Sequence, residues 1–144
     1  MTTSGNHRDR VAASLARQGM LRQLGVELRR VEPGLVELWL PYSDKVTQQQ
    51  EGFHGGAMGA VADVAGGYAG LTVAPEGMEV VTVEYKINFL ASFKGGALRA
   101  IGKVAKPGKR LIITTAEVIH VADDGKESAC ALMQQTLMPV PKTY

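Results

Sequence analysis

Cysteine and tryptophan each occur once in this chain, proline six times, and aromatic residues make up only 6% of it. The single thiol, Cys130, excludes an internal disulfide and a cysteine-based metal cluster. Within Ala129-Cys130-Ala131-Leu132 it reads as a small core residue and not as a nucleophile. Neither sign of charge dominates: 16 Lys and Arg stand against 14 Asp and Glu, a formal net charge of +2. No basic run is interleaved with stacking aromatics, so nucleic acid is not an expected partner. Residues Met1 to Arg10 lack the basic-then-apolar order of a signal peptide, which makes the cytoplasm the expected location. The longest apolar run, Gly56 to Ala74, approaches the length of a bilayer span but contains glycines and an aspartate, and its Gly/Ala content transfers weakly into lipid. No membrane association is expected.

What is present suffices for one domain of 144 residues with its own core. Val11, Leu15, Leu21 and Leu24 lie near helical spacing between arginines, predicting an amphipathic N-terminal helix over 11–24 that packs on the outside. Residues 1–24 therefore form an N-terminal helical segment and 25–144 the main domain. Gly25 to Arg30 and Leu35 to Pro41 read as strands joined by the turn Glu32-Pro33-Gly34. After a polar stretch, Ser43 to Gly52, comes a glycine-rich helix. Then Met78 to Leu90 alternates with period two, Val81, Val83, Tyr85, Ile87 and Phe89 on one face and Thr82, Glu84, Lys86 and Asn88 on the other, as a long half-buried strand does. Ala97 to Ala105, Arg110 to Val121 and Ser128 to Met138 continue the pattern, with hairpin turns at Lys106-Pro107-Gly108-Lys109 and Asp123-Asp124-Gly125-Lys126. The fold class is α+β, an antiparallel sheet wrapped around one long helix.

That helix carries the sequence's most telling residue. From Gly56 through Ala74 the only charged side chain is Asp63, and a carboxylate in apolar surroundings loses solvation and has its pKa raised unless it finds partners. The helix is also poor by propensity: interior glycines cost about 0.5–1 kcal/mol each relative to alanine. Tertiary packing must hold it, and small residues on most sides let neighbouring backbone come close.

His54-Gly55-Gly56, Asp63 nine positions after the histidine, Gly66-Gly67, and the strand Val81-Thr82-Val83-Glu84-Tyr85-Lys86-Ile87-Asn88-Phe89 together resemble the hotdog-fold acyl-CoA thioesterases of the phenylacetate-pathway type. The resemblance covers about Gly25 to Pro139. It implies thioester hydrolysis, with active sites at the interface of a homodimer that often pairs again into a homotetramer, and no cofactor beyond the coenzyme A carried by the substrate. It further implies that Gln48, six residues before His54, orients the water or the carboxylate. The chain departs from relatives that carry a hydroxyl residue four positions after the helix carboxylate, where Gly67 stands here, or a serine near Val81.

Thioester hydrolysis needs hydrogen-bond donors for the developing oxyanion and a group that activates water or attacks directly. Gly55 and Gly56, at a helix start, offer unpaired N–H groups without side chains in the way. Asp63 supplies a general base or a nucleophile. His54 either bonds nearby backbone and holds the loop or contacts substrate. Eight helical residues separate Gly55 from Asp63, a rise of roughly 12 Å, too far for one carbonyl to touch both. If both act, Asp63 meets the glycine of a second copy, and the protein is a homodimer. The acyl pocket is expected to be lined by Gly67, Tyr68, Val81, Thr82 and Val83, which permits a medium-chain or aryl group. Lys106, Lys109 and Arg110, with the nearby Lys94 and Lys103, are candidate contacts for the coenzyme A phosphates. Two alternatives stand beside this reading: a hotdog hydratase or dehydratase, disfavoured because Tyr68 occupies the position of a hydratase histidine, and a non-catalytic acyl-CoA binding or sensor protein.

Overall fold

The computed structural model describes the backbone from residue 3 to residue 144 and side chains from residue 5; Met1 and Thr2, the start of the N-terminal segment, lie outside the described residues. Its elements follow the order α1 (Thr3–Leu15), α2 (Gly19–Leu24), β1 (Glu27–Glu32), β2 (Leu35–Pro41), α3 (Gly55–Val73), β3 (Met78–Phe89), β4 (Ala97–Lys106), β5 (Ile112–Val121) and β6 (Glu127–Pro141). All six strands join one sheet in the order β1-β2-β4-β5-β6-β3, every pairing antiparallel, and α3 packs against it. This is the hotdog fold. Among the described residues no helix is long and apolar enough to cross a membrane.

Close packing accounts for three of the glycines that helix propensity disfavours: a Cβ at Gly59, Gly66 or Gly70 would press on Tyr85, Gln135 or Leu137. A Cβ at Gly102 of β4 would overlap the Ala65 carbonyl of α3, so the sheet touches the helix backbone directly. Around this contact Met58, Val61, Tyr68 and Leu71 of α3 are buried with Val36, Leu38, Leu98, Val118 and Met133 of the sheet. Each fully buried side chain of this size contributes roughly 1.5–3 kcal/mol, enough to offset several interior glycines.

The N-terminal segment differs from the single outer helix expected. It folds as two helices, broken where Arg17 N–H and Gln18 N–H bond the carbonyls three residues back and tighten the last turn. Val11, Leu15 and Leu21 are buried in the main hydrophobic cluster, so the segment closes one end of the core. The break turns Gln18 inward, where its Nε2 donates to Tyr68 Oη at 2.7 Å.

Strand β3 also corrects the period-two reading. It forms an edge of the sheet, and Val81, Val83, Tyr85 and Phe89 are 41–56% exposed instead of half-buried. A bulge interrupts the β3–β6 register between Thr82 and Glu84, leaving Val83 as the extra residue. The inserted residue shifts the alternation, so Thr82, Tyr85, Ile87 and Phe89 share the helix-facing side opposite the buried Leu137, Gln135, Met133 and Ala131. The long helix and β3 run antiparallel: Phe89 covers Gly55, Tyr85 covers Gly59, and Thr82 reaches Asp63.

Candidate active site

Asp63 lies half-buried in the middle of α3, and its carboxylate is not alone. Thr82 Oγ1 donates to Asp63 Oδ1 at 2.7 Å, and Gln135 Nε2 donates a short bond to the same oxygen and a second, at 3.1 Å, to the Asp63 carbonyl. Partners thus meet the cost of burial that the lone charge implied. Thr82 makes this contact because the bulge turns it toward the helix, so the chain does have a hydroxyl at the carboxylate. Gln135 had escaped the sequence reading. It is fully buried on β6, and its Oε1 accepts from Thr114 Oγ1 of β5 at 2.7 Å. The two are direct cross-strand partners. A signal was present in the sequence: both residues are polar in the inward phase of otherwise apolar alternations, Ile112-Thr114-Ala116-Val118 and Ala131-Met133-Gln135-Leu137.

Beside the carboxylate opens a cleft of about 180 Å³, walled by Asp63, Gly67, Tyr68 and Leu71 of α3, Glu79, Val80 and Thr82 of β3, and Ser14 and Gln18 of the N-terminal segment. Gly67 has no atom within 4 Å of where a Cβ would stand, which keeps the cleft open. Tyr68 Oη accepts from Gln18 and donates to Ser14 Oγ at 3.0 Å, and burial raises its pKa. Val81 and Val83 do not line this cleft: Val81 points to the outer face beside Met138 and Val83 is the bulged residue, so of the three β3 residues expected there only Thr82 lines it, with Val80 beside it.

Around the start of α3, His54 is the N-cap, and its Nδ1 accepts from Gly56 N–H at 2.7 Å. This is the backbone-holding role for His54, and it occupies the Gly56 donor. Gly55 N–H finds no acceptor among the described residues. Gln48 sits on the same loop, tied to it by its main chain, and its Oε1 accepts from Gln50 N–H. The loop therefore gathers Gln48, His54 and Gly55, while Asp63 stands two helical turns further along α3. Lys106, Lys109 and Arg110 are exposed around the β4–β5 turn and form no ion pair among the described residues. Cys130 is buried, its Sγ donating to the Val118 carbonyl, and burial pushes its thiol up to about 11. It is a core residue.

A sequence profile of the Thioesterase superfamily matches residues 52–126, the span holding His54-Gly55-Gly56, Asp63 and Thr82. The chain belongs to the thioesterase superfamily. This thioesterase is 35% identical over 109 residues to a provisionally named esterase of Saccharolobus solfataricus, covering 76% of each chain. It superposes on the crystal structure of a thioesterase family protein from Silicibacter pomeroyi with a TM-score of 0.90 and 38% identity, covering 94% of this chain and 99% of the other. The PaaI protein of the E. coli phenylacetic acid degradation operon shares the fold at a TM-score of 0.86 and 21% identity, over 99% of both chains. The thioesterase is thus a hydrolase acting on thioesters, built on the architecture that its sequence resembled.

Proposed function

We propose that the protein hydrolyses a medium-chain or aryl acyl-CoA to the free acid and coenzyme A, with each active site shared between two copies of the chain. The observation that carries this reading is the pairing of a partnered Asp63 with an open cleft on one side and a free Gly55 N–H two turns away on the same helix. Oδ1 accepts both side-chain bonds, and Oδ2 accepts none among the described residues, so Oδ2 is the oxygen offered to the reaction. As a base, Oδ2 takes a proton from water as the water oxygen bonds to the thioester carbon. As a nucleophile it attacks that carbon itself, and water then cleaves the mixed anhydride. In both routes the carbonyl oxygen becomes an oxyanion, the carbon–sulfur bond breaks, and the coenzyme A thiolate leaves.

The β3 edge supports the dimer. On it Thr82 marks the level of Asp63 and Phe89 that of Gly55. Antiparallel pairing of β3 with the β3 of a second copy, about a two-fold axis near Tyr85 and Lys86, sets Thr82 opposite the second copy's Phe89 and hence Asp63 opposite its Gly55. The same pairing covers an exposed apolar edge, which monomers rarely leave open. Gln48 would then reach the water from the glycine's side. Gly67, Tyr68, Leu71 and Val80 on the cleft wall would receive the acyl group, a medium chain or an aryl ring.

The test is thiol release over a panel of acyl-CoAs. Medium-chain or aryl thioesters should be turned over, and Asp63→Asn should lower kcat by about 100- to 10,000-fold, the range for loss of a positioned base. Full activity in Asp63→Asn, or no hydrolysis of any acyl-CoA by the wild type, would refute the proposal.

A further inference from the structure

Gln135 is the one buried amide behind the reacting carboxylate among the described residues, and every polar atom of its side chain is committed. Thr114 Oγ1 donates to its Oε1, while its NH2 faces the Asp63 carbonyl and carboxylate, oxygens that only accept, which fixes the amide's orientation toward α3. From there Nε2 reaches Asp63 Oδ1, the Asp63 carbonyl at 3.1 Å and Thr82 Oγ1 at 3.1 Å. The helix is shaped around this amide. A Cβ at Gly66 would press into Gln135 Oε1 and stand 2.8 Å from Thr114 Oγ1, so glycine is needed beside the pair. Both Gln135 and Thr114 have 0% exposure, where a polar group survives only with its bonds made.

We infer that Gln135 is a positioning residue for the hydrolysis: oriented by Thr114, its amide holds Oδ1 of Asp63 and so presents Oδ2 to the thioester or its attacking water. The inference rests on Asp63 being the reacting group. The other ionisable groups facing the cleft are Tyr68 of α3 and Glu79 of β3, whereas β5 and β6 present the neutral Thr114 and Gln135.

The experiment compares pH–rate profiles of wild type, Gln135→Met, Gln135→Glu, Thr114→Val and Thr114→Ser on the best acyl-CoA of the panel. Gln135→Met should lower kcat roughly 10- to 100-fold, as loss of a hydrogen bond to a charged group does, with KM nearly unchanged. Gln135→Glu sets a second carboxyl against the first and should move the acid limb of kcat/KM upward by about one pH unit or more. Thr114→Val should lower kcat and Thr114→Ser, which keeps the hydroxyl, should restore it. An acid limb in Gln135→Glu that coincides with wild type, or a Thr114→Val as active as Thr114→Ser, overturns the inference. Because Val is isosteric with Thr, the second comparison stands even if Gln135→Glu does not fold. Asp63→Asn separates the two levels: if it keeps full activity the proposed function fails, while an inactive Asp63→Asn beside unshifted Gln135 variants removes only the role of Gln135.

Discussion

Two adjacent glycines of α3 should respond to alanine in opposite directions. At Gly66 the added Cβ meets Gln135 Oε1, Thr114 Oγ1 at 2.8 Å and Met133 Cε at 3.1 Å, whereas at Gly67 it meets nothing within 4 Å. Both substitutions gain about 0.5–1 kcal/mol of helix propensity. For Gly67→Ala that gain stands unopposed, and unfolding free energy should rise by that amount. For Gly66→Ala the contacts are too short by several tenths of an ångström, and the helix cannot retreat without dragging the Ala65 backbone off Gly102. Overpacking of this kind costs about 1–3 kcal/mol, so the net change should be a loss of roughly 0.5–2 kcal/mol. Urea unfolding of both variants, with m values checked for constancy, measures the difference directly. Activity adds a second contrast: Gly66→Ala displaces the amide behind Asp63 and should lower kcat, while Gly67→Ala narrows the cleft and should raise KM for the preferred acyl-CoA. Equal stabilities for the two variants would refute the packing account of this helix.

Other consequences test separate parts of the structure. Burial holds the Cys130 thiol up to about 11, so folding favours its protonated form. That contribution is complete below the ordinary thiol range of about 8.5 and declines as pH rises toward 11; urea midpoints for wild type should therefore fall between pH 8 and 10.5 more steeply than for Cys130→Ala. Tyr68→Phe removes the hydroxyl that joins Ser14 and Gln18 at the cleft wall. It should cost about 1 kcal/mol of stability in the same titration, the usual worth of such a bond. Replacing the exposed Val83 by Lys should weaken association through β3, seen in sedimentation as a shift toward monomer that lowers activity at low protein concentration.

Most of the fold was legible in the sequence because hydrophobic period and turn chemistry are local signals. The strands over 35–41, 78–90 and 97–105, the turn at Gly34 and the helix around Asp63 stand where period two, positive φ and apolar content place them. What escaped was non-local. A bulge at Val83 inverts the inward phase of half a strand, and nothing in Val81-Thr82-Val83-Glu84 marks the inserted residue. The same bulge decides that Thr82 bonds Asp63 while Val81 faces outward. Gln135 is hidden beside Gln134 until the register of β5 against β6 puts it opposite Thr114. Asp63, Gly55 and His54 were readable because carboxylate, glycine and N-cap are each unusual for their local setting, and the structure gives them a partnered oxygen, a free N–H and a bonded ring.

The central claim is that Asp63 of one copy works with Gly55 of another, and subunit mixing tests it. Asp63→Asn removes the carboxylate, and Gly55→Pro removes the N–H at a first helical position, where proline is tolerated and the extended His54 before it, at ψ 134°, is compatible. Each variant alone should be nearly inactive. If sites are shared, a hybrid dimer holds one site with both lesions and one intact site. Equal mixing after dissociation and reassembly should then restore about a quarter of wild-type activity, from roughly half the dimers with one working site each. Activity no greater than the sum of the two separate variants, with hybrids verified by mass, would contradict the shared site.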